Sequence, residues 1–120
     1  MKESKEGVLL RVFVSENARI KGRPVYERIV EEAFKRGLAG ATVLRGLMGF
    51  GAHHRMHTAK ILRLSEGLPV IVEIVDTPER IDEFLPFLNE TIDKGYVTTE
   101  KVNVIVYRPG AKDNAADNGA

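Results

Sequence analysis

The sequence contains no cysteine and no tryptophan. Without cysteine there can be no disulfide framework, no thiolate zinc site and no cysteine nucleophile. Aromatic residues make up only 7% of the chain. No apolar run is long enough to span a bilayer: residues 8–14 (VLLRVFV) are interrupted by Arg11 and are followed by a polar stretch. The charged Met1–Glu6 segment and the short run after it do not form a secretory signal, so a soluble, cytoplasmic protein is expected. Charge of neither sign is in excess: 18 basic and 17 acidic residues leave a formal net charge of +1. That balance excludes a generally basic nucleic-acid binder. A P-loop, a Rossmann glycine fingerprint and a Gly-x-Ser-x-Gly elbow are all missing. So are the strand aromatics on which RNA-recognition modules stack bases, leaving no nucleic-acid partner expected. What remains is 120 residues, 43% of them hydrophobic. That is one domain with enough material for its own core.

The apolar pattern predicts the order βαββαβ. Val8–Val14 is a β-branched and aliphatic run, hence a strand. The polar stretch 15–23 is a loop, and Pro24 suits the first turn of a helix. From there to Leu38, apolar residues recur at helical spacing (Val25, Tyr26, Ile29, Val30, Ala33, Phe34 and Leu38), with Gly37 and Gly40 at the end. Ala41–Phe50 reads as the second strand, and residues 59–64 as part of an extended arm. Leu68–Val75 is the clearest strand. Thr77-Pro78 then gives a hydroxyl cap and a proline at the first helical position. Ile81, Phe84, Leu85, Leu88 and Ile92 form the stripe of that helix, which Pro86 is expected to kink. Val102–Tyr107 is the last strand. Residues 110–120 are small and polar and are expected to be disordered. The fold class is therefore α+β, a ferredoxin-like sandwich of a four-stranded antiparallel sheet with two helices on one face. The domain is expected over residues 8–109, after a flexible N-terminus at 1–7. Strands apolar on both sides leave the second sheet face in need of cover, which argues for packing against further copies.

Candidate chemistry concentrates in residues 46–60 (GLMGFGAHHRMHTAK). This stretch holds all three histidines of the chain, His53, His54 and His57, together with Arg55 and Lys60 and no acidic residue. Gly49 and Gly51 flank Phe50 at a strand end, where glycines let backbone amides approach a ligand or form an anion-binding nest. Cations after such a turn suit a phosphate group. A solvated surface hairpin has the same composition. The three histidines also permit a metal site, since imidazole suits zinc, copper or nickel. Asp76, Glu79, Asp82 and Glu83 crowd the start of the second helix, where they complement its dipole. No paired acid and base is visible, so the chain is read as non-enzymatic.

At Gly49-Phe50-Gly51, and again at residues 68–76 (LPVIVEIVD), the sequence resembles the PII-like family still labelled a domain of unknown function, family 190. Residues 42–51 (TVLRGLMGFG), the His/Arg-rich loop after them, and the lead-in Lys21-Gly22-Arg23-Pro24 to the first helix carry the same resemblance, which extends from about Val8 to Tyr107. It implies a homotrimer that binds nucleotide in clefts between neighbouring subunits. It also implies a loop, here 52–67, that engages a protein or membrane-protein partner. On this resemblance Gly51 falls on the glycine that lies against nucleotide, His53 on a contacting glutamine, and Lys101 on the phosphate-binding lysine that opens the last strand. Several positions depart from the PII pattern. Val70 stands where a lysine is usual, Thr98-Thr99-Glu100 replaces a Gly-x-Gly, and Arg108 alone remains of the C-terminal arginines. The loop carries no tyrosine, so PII-type modification of a loop tyrosine is not expected. The expectation is a regulatory trimer that takes a small anionic ligand, an adenine nucleotide. Its contacts would be Gly49, Phe50, Gly51, His53, His54, Arg55, His57, Lys60 and Lys101. The alternative is a metal-binding trimer of the cation-tolerance type, using His53, His54 and His57.

Overall fold

A computed structural model describes residues 4–51, 56–58 and 67–110. Strand β1 (Lys5–Ser15) lies at the centre of a sheet ordered β4-β7-β1-β8, with β4 at Thr42–Arg45, β7 at Pro69–Asp76 and β8 at Tyr96–Val104. Every neighbouring pair in it is antiparallel. Helices α1 (Val25–Lys35) and α2 (Pro78–Thr91) complete the ferredoxin-like α+β fold. Two short hairpins are added to it. One pairs β2 (Arg19–Ile20) with β3 (Arg23–Pro24), and the other pairs β5 (Met48–Gly49) with β6 (His57–Thr58).

Strand alternation sets the core. Leu10, Val12 and Val14 of β1 are buried, as are Val70, Val72 and Ile74 of β7. Ile29 of α1 and Ile81, Phe84 and Leu88 of α2 close over them. These are the one-face residues of a period-2 strand and a period-3.6 helix. Arg36 at the end of α1 lies 5.4 Å over the rings of both Phe84 and Phe87, which ties the helices at their outer edge.

Local chemistry fixes the helix ends. Thr77 accepts a hydrogen bond from the Arg80 backbone N–H at 3.3 Å, and Pro78 occupies the first turn. At the other end of α1, Gly37 adopts φ +74°. The Gly37 N–H donates to the Phe34 carbonyl and the Leu38 N–H to the Ala33 carbonyl, each at 3.0 Å. This is the two-bond C-terminal motif that a glycine makes possible. Pro24 is the cap residue of α1 rather than its first helical residue. Helix α2 runs without interruption past Pro86, which is exposed. The carbonyl that a backbone N–H at Pro86 would have served can therefore turn to water.

Three strands differ in extent from the sequence pattern. Residues 41–50 form two strands, not one, because the chain leaves the sheet at Gly46, whose N–H donates to the Pro69 carbonyl at 2.8 Å. A Cβ at Gly46 would lie 3.0 Å from the Pro69 ring. Strand β1 starts at Lys5, so residues 5–7 pair with Val102–Val104. The last strand occupies Tyr96–Val104 rather than 102–107. Register explains the shift: Phe13 pairs with Tyr96 and Lys5 with Val104, and beyond Val104 there is no further β1 to pair with. The expectations for the arm 59–64 and the tail 111–120 fall outside the described residues.

The second sheet face carries Leu9, Arg11 and Phe13 of β1, Ile71 and Glu73 of β7, and Tyr96, Thr98 and Glu100 of β8, as the register dictates. Arg11 Nε reaches Glu73 at 2.9 Å and an Nη reaches Glu100 at 3.2 Å. The hydrogen bond and charge of Glu73 raise the Arg11 pKa above its ordinary value, with Glu100 adding to the effect. Phe13 and Tyr96 stack at 4.6 Å beside this cluster. No described element of the same chain covers the face.

Candidate functional site

The glycine turn sits at the Pro69 end of the sheet. Gly46 and Gly49 both pack on Pro69; a Cβ at Gly49 would lie 3.2 Å from its ring, whereas one at Gly51 would meet no described residue within 4 Å. The glycines at 46 and 49 are thus favoured by close packing, while no described residue crowds Gly51. The hairpin they permit pairs Met48 with Thr58 and Gly49 with the backbone of His57. It presents apolar side chains outward: Leu47 is 79% exposed and Phe50 57%. At its base Arg45 holds Glu16 through two hydrogen bonds, at 2.6 and 3.2 Å. His53, His54, Arg55 and Lys60 lie outside the described residues, and of His57 only the backbone is described. Among the described residues no group of three or more His, Asp or Glu is placed to hold a metal.

A second feature lies at the opposite end. Here the start of β1, the end of β7, the loop leaving α1 and the segment after β8 surround an open cleft of about 1070 Å³. Its lining includes Gly40, Ala41 and Thr42 from the loop after α1, Glu73, Val75 and Asp76 from β7, Glu6 from β1, and Tyr107 and Arg108 from the segment after β8. Arg80, Lys5 and Arg108 bring positive charge to it, and Val104, Ile105 and Val106 supply an apolar side. A cleft with an apolar side and convergent polar groups is the usual form of a small-molecule site. The sequence pattern does not single out these residues as site residues. Asp76 reads there only as a complement to the helix dipole, and a short loop with two glycines carries no signal of its own. The cleft walls come together only once β1, β7 and β8 are in register.

Lys101 does not open the last strand: β8 begins five residues before it, at Tyr96. Lys101 pairs with Val8, which in turn pairs with Asp76. It therefore stands at the cleft end of the sheet, while Gly49 stands at the Pro69 end. The seven steps of β7 between these ends correspond to about 23 Å at the usual strand rise. Within one chain the structure does not bring Lys101 to Gly49, Phe50 and Gly51. The lysine and glycine preceding β8 at the Pro69 end are Lys94 and Gly95. Gly95 takes φ +137°, with its Cβ position only 2.3 Å from the Phe13 carbonyl oxygen.

Comparison with known proteins agrees with this architecture. The profile of the DUF190 family, described as Uncharacterized ACR, matches residues 7–104. A UPF0166 protein of Aquifex aeolicus (strain VF5) is 41% identical over 97 residues, covering 81% of this chain and 91% of that protein. A UPF0166 protein of Methanocaldococcus jannaschii is 37% identical over 84 residues, covering 70% and 77%. Among solved structures, a putative PII-like signaling protein from Thermus thermophilus superposes with a TM-score of 0.58 at 19% identity, covering 85% of this chain and 90% of that one. CPII from Thiomonas intermedia K12, solved bound to ADP and bicarbonate, gives 0.56 at 17% identity, covering 85% and 91%. At such identities these structures speak for the fold, whereas the profile and the curated relatives establish descent: the chain belongs to the DUF190 (UPF0166) family and has a PII-like fold.

Proposed function

We propose that this chain is a PII-like regulatory protein that acts by binding, as a homotrimer, an adenine nucleotide at clefts between subunits. The observation that carries the reading is the open cleft of about 1070 Å³ at one end of the sheet, lined by Lys5, Arg80 and Arg108 together with Glu6, Glu73 and Asp76. It occurs in a fold whose solved counterpart CPII holds ADP. The turn Gly49-Phe50-Gly51 and the cleft lie at opposite ends of one chain. A ligand that touches both must therefore sit between two copies. The uncovered face around Arg11, Phe13 and Tyr96 gives such copies a surface to share. His53, His54, Arg55, His57 and Lys60 then approach the ligand from the segment between β5 and β7, and Lys101 lies at the cleft end. With nucleotide bound, the 52–67 segment, with the exposed Leu47 and Phe50 at its root, contacts a protein or membrane-protein partner.

Thermal unfolding of the purified chain with ATP, ADP, AMP and divalent metals, paired with sedimentation, tests this. A nucleotide at about a hundred times its dissociation constant adds about 2.7 kcal/mol of stability. On a domain of this size that raises Tm by roughly 10 °C. A rise with an adenine nucleotide, on a trimer, supports the proposal. A rise with metal alone transfers the site to the three histidines, and no rise with any of them overturns a small-ligand function.

A further inference from the structure

The wall of the cleft hangs on two side chains. Residues 39 and 40 are exposed and a Cβ at Gly40 would meet nothing within 4 Å, so this stretch lacks apolar packing, although Leu38 and Ala41 on either side pack against the core and Thr42 pairs with Glu73 of β7. Asp76, whose side chain is only 7% exposed, reaches them from the end of β7. Its Oδ2 accepts from the Ala39 N–H at 2.8 Å and its Oδ1 from the Thr77 N–H at 2.7 Å. From the first turn of α2, Arg80 Nη2 donates to the carbonyls of Arg36 at 3.0 Å and Gly37 at 2.7 Å. Arg80 Nε stands 3.7 Å from Asp76 Oδ2, closing the group. One carboxylate and one guanidinium thus hold both the donors and the acceptors of a glycine-containing loop against the β7–α2 junction. Exposed backbone such as that of residues 39 and 40 opens more easily once such bonds are lost.

We propose that Asp76 and Arg80 are a positioning pair for the cleft: they hold residues 37–42 in the form that accepts the ligand, and act through that loop rather than on the ligand. The proposal rests on the nucleotide reading above. It makes the competent cleft a folded state of the loop, so the apparent dissociation constant rises as the inverse of the fraction of chains in which the loop is closed.

The test uses the full chain with ADP as probe. Three quantities are followed: affinity by calorimetry, amide hydrogen exchange over residues 37–42, and the urea midpoint. In Asp76→Asn the remaining carbonyl oxygen can serve only one of the two amides. The Ala39 amide should exchange about ten-fold faster, the effect of losing one charge-assisted hydrogen bond, and ADP affinity should fall by the factor by which the closed fraction falls. Saturating ADP should return the loop toward native protection. Arg80→Lys keeps the charge without the planar fork, so it should lie between the native chain and Arg80→Ala. A role limited to stability would lower the urea midpoint and leave affinity unchanged. If Asp76→Asn does not fold, the two Arg80 variants decide. Native affinity in the variants, or unchanged exchange at Ala39, overturns the positioning role alone. Absence of ADP and AMP binding to the native chain overturns the nucleotide reading and this role with it.

Discussion

Gly95→Ala is the sharpest single test of the architecture at the glycine-turn end. Gly95 leads into β8 with φ +137°, and an ideal Cβ there would lie 2.3 Å from the Phe13 carbonyl oxygen and 3.0 Å from Val14 Cγ1. Ordinary contact begins near 3.4 Å, so the two backbones must separate by roughly 1 Å. Phe13 cannot yield cheaply: it belongs to β1, hydrogen-bonded on both sides, and its ring is stacked on Tyr96. The backbone conformation alone costs an L-residue about 1–3 kcal/mol. Overpacking of this kind adds about 1–3 kcal/mol. A destabilisation of about 2–6 kcal/mol follows, a large share of the 5–15 kcal/mol typical of a whole domain. In a chain of this size it lowers Tm by roughly 10–20 °C. Urea unfolding followed by far-UV circular dichroism suits a protein without tryptophan. Gly51→Ala is the control, because its Cβ would meet no described residue within 4 Å; it should shift stability by less than about 0.5 kcal/mol. A Gly95→Ala chain as stable as the Gly51→Ala chain would refute the close approach of β8 to β1.

Phe84→Ala removes the largest fully buried side chain and should cost about 3–5 kcal/mol by the same assay; a loss below about 1 kcal/mol would place Phe84 outside the core. Phe13→Asp sets a carboxylate on the uncovered sheet face without entering the helix-side core. Sedimentation should then show monomers with native far-UV signal, and an unchanged assembly would mean that copies do not meet through this face. On the outer side of α1, a hydrogen bond from Arg23 holds the Glu31 carboxyl below the usual carboxylate range, and one from Arg36, with help from Arg28, does the same for Glu32. The unfolded chain takes up protons first as pH falls. Stability is therefore full above about pH 5 and declines as pH drops through about 4 toward the lowered native values. Replacing both glutamates by glutamine should flatten that decline, and an equally steep decline in the double variant would show that the pairs contribute nothing.

Much of the fold was legible because its signals are local. The run 68–75 is β-branched and bounded by Gly67 and Asp76, so β7 matches its pattern within a residue at each end. Thr77-Pro78 states the start of α2 in two residues. The last strand was misplaced because Thr98-Thr99-Glu100-Lys101 looks polar. Its polarity is explained by position: β8 is an edge strand, and its outline is set by pairing with β1. The split of residues 41–50 was hidden for a similar reason, since the break depends on Pro69, a residue far along the chain. The candidate site was legible only as composition. Gly49 and Gly51 look alike in sequence, yet one is packed on a proline ring and the other is crowded by no described residue.

The sequence by itself determined the order of the main strands and the two helices, because periodicity and caps act over a few residues, and its motifs carried the resemblance to the family. Only the tertiary structure decided where those elements stop and what they enclose. Register with β1 fixed the extent of β8 and set Lys101 at the end opposite Gly49. The cleft exists because β1 starts where β7 and β8 end, with Asp76 and Arg80 reaching back across the chain to hold the loop beside it. Contacts between residues 37 to 44 positions apart have no local signature, which is the physical reason the cleft could not be read from the chain alone.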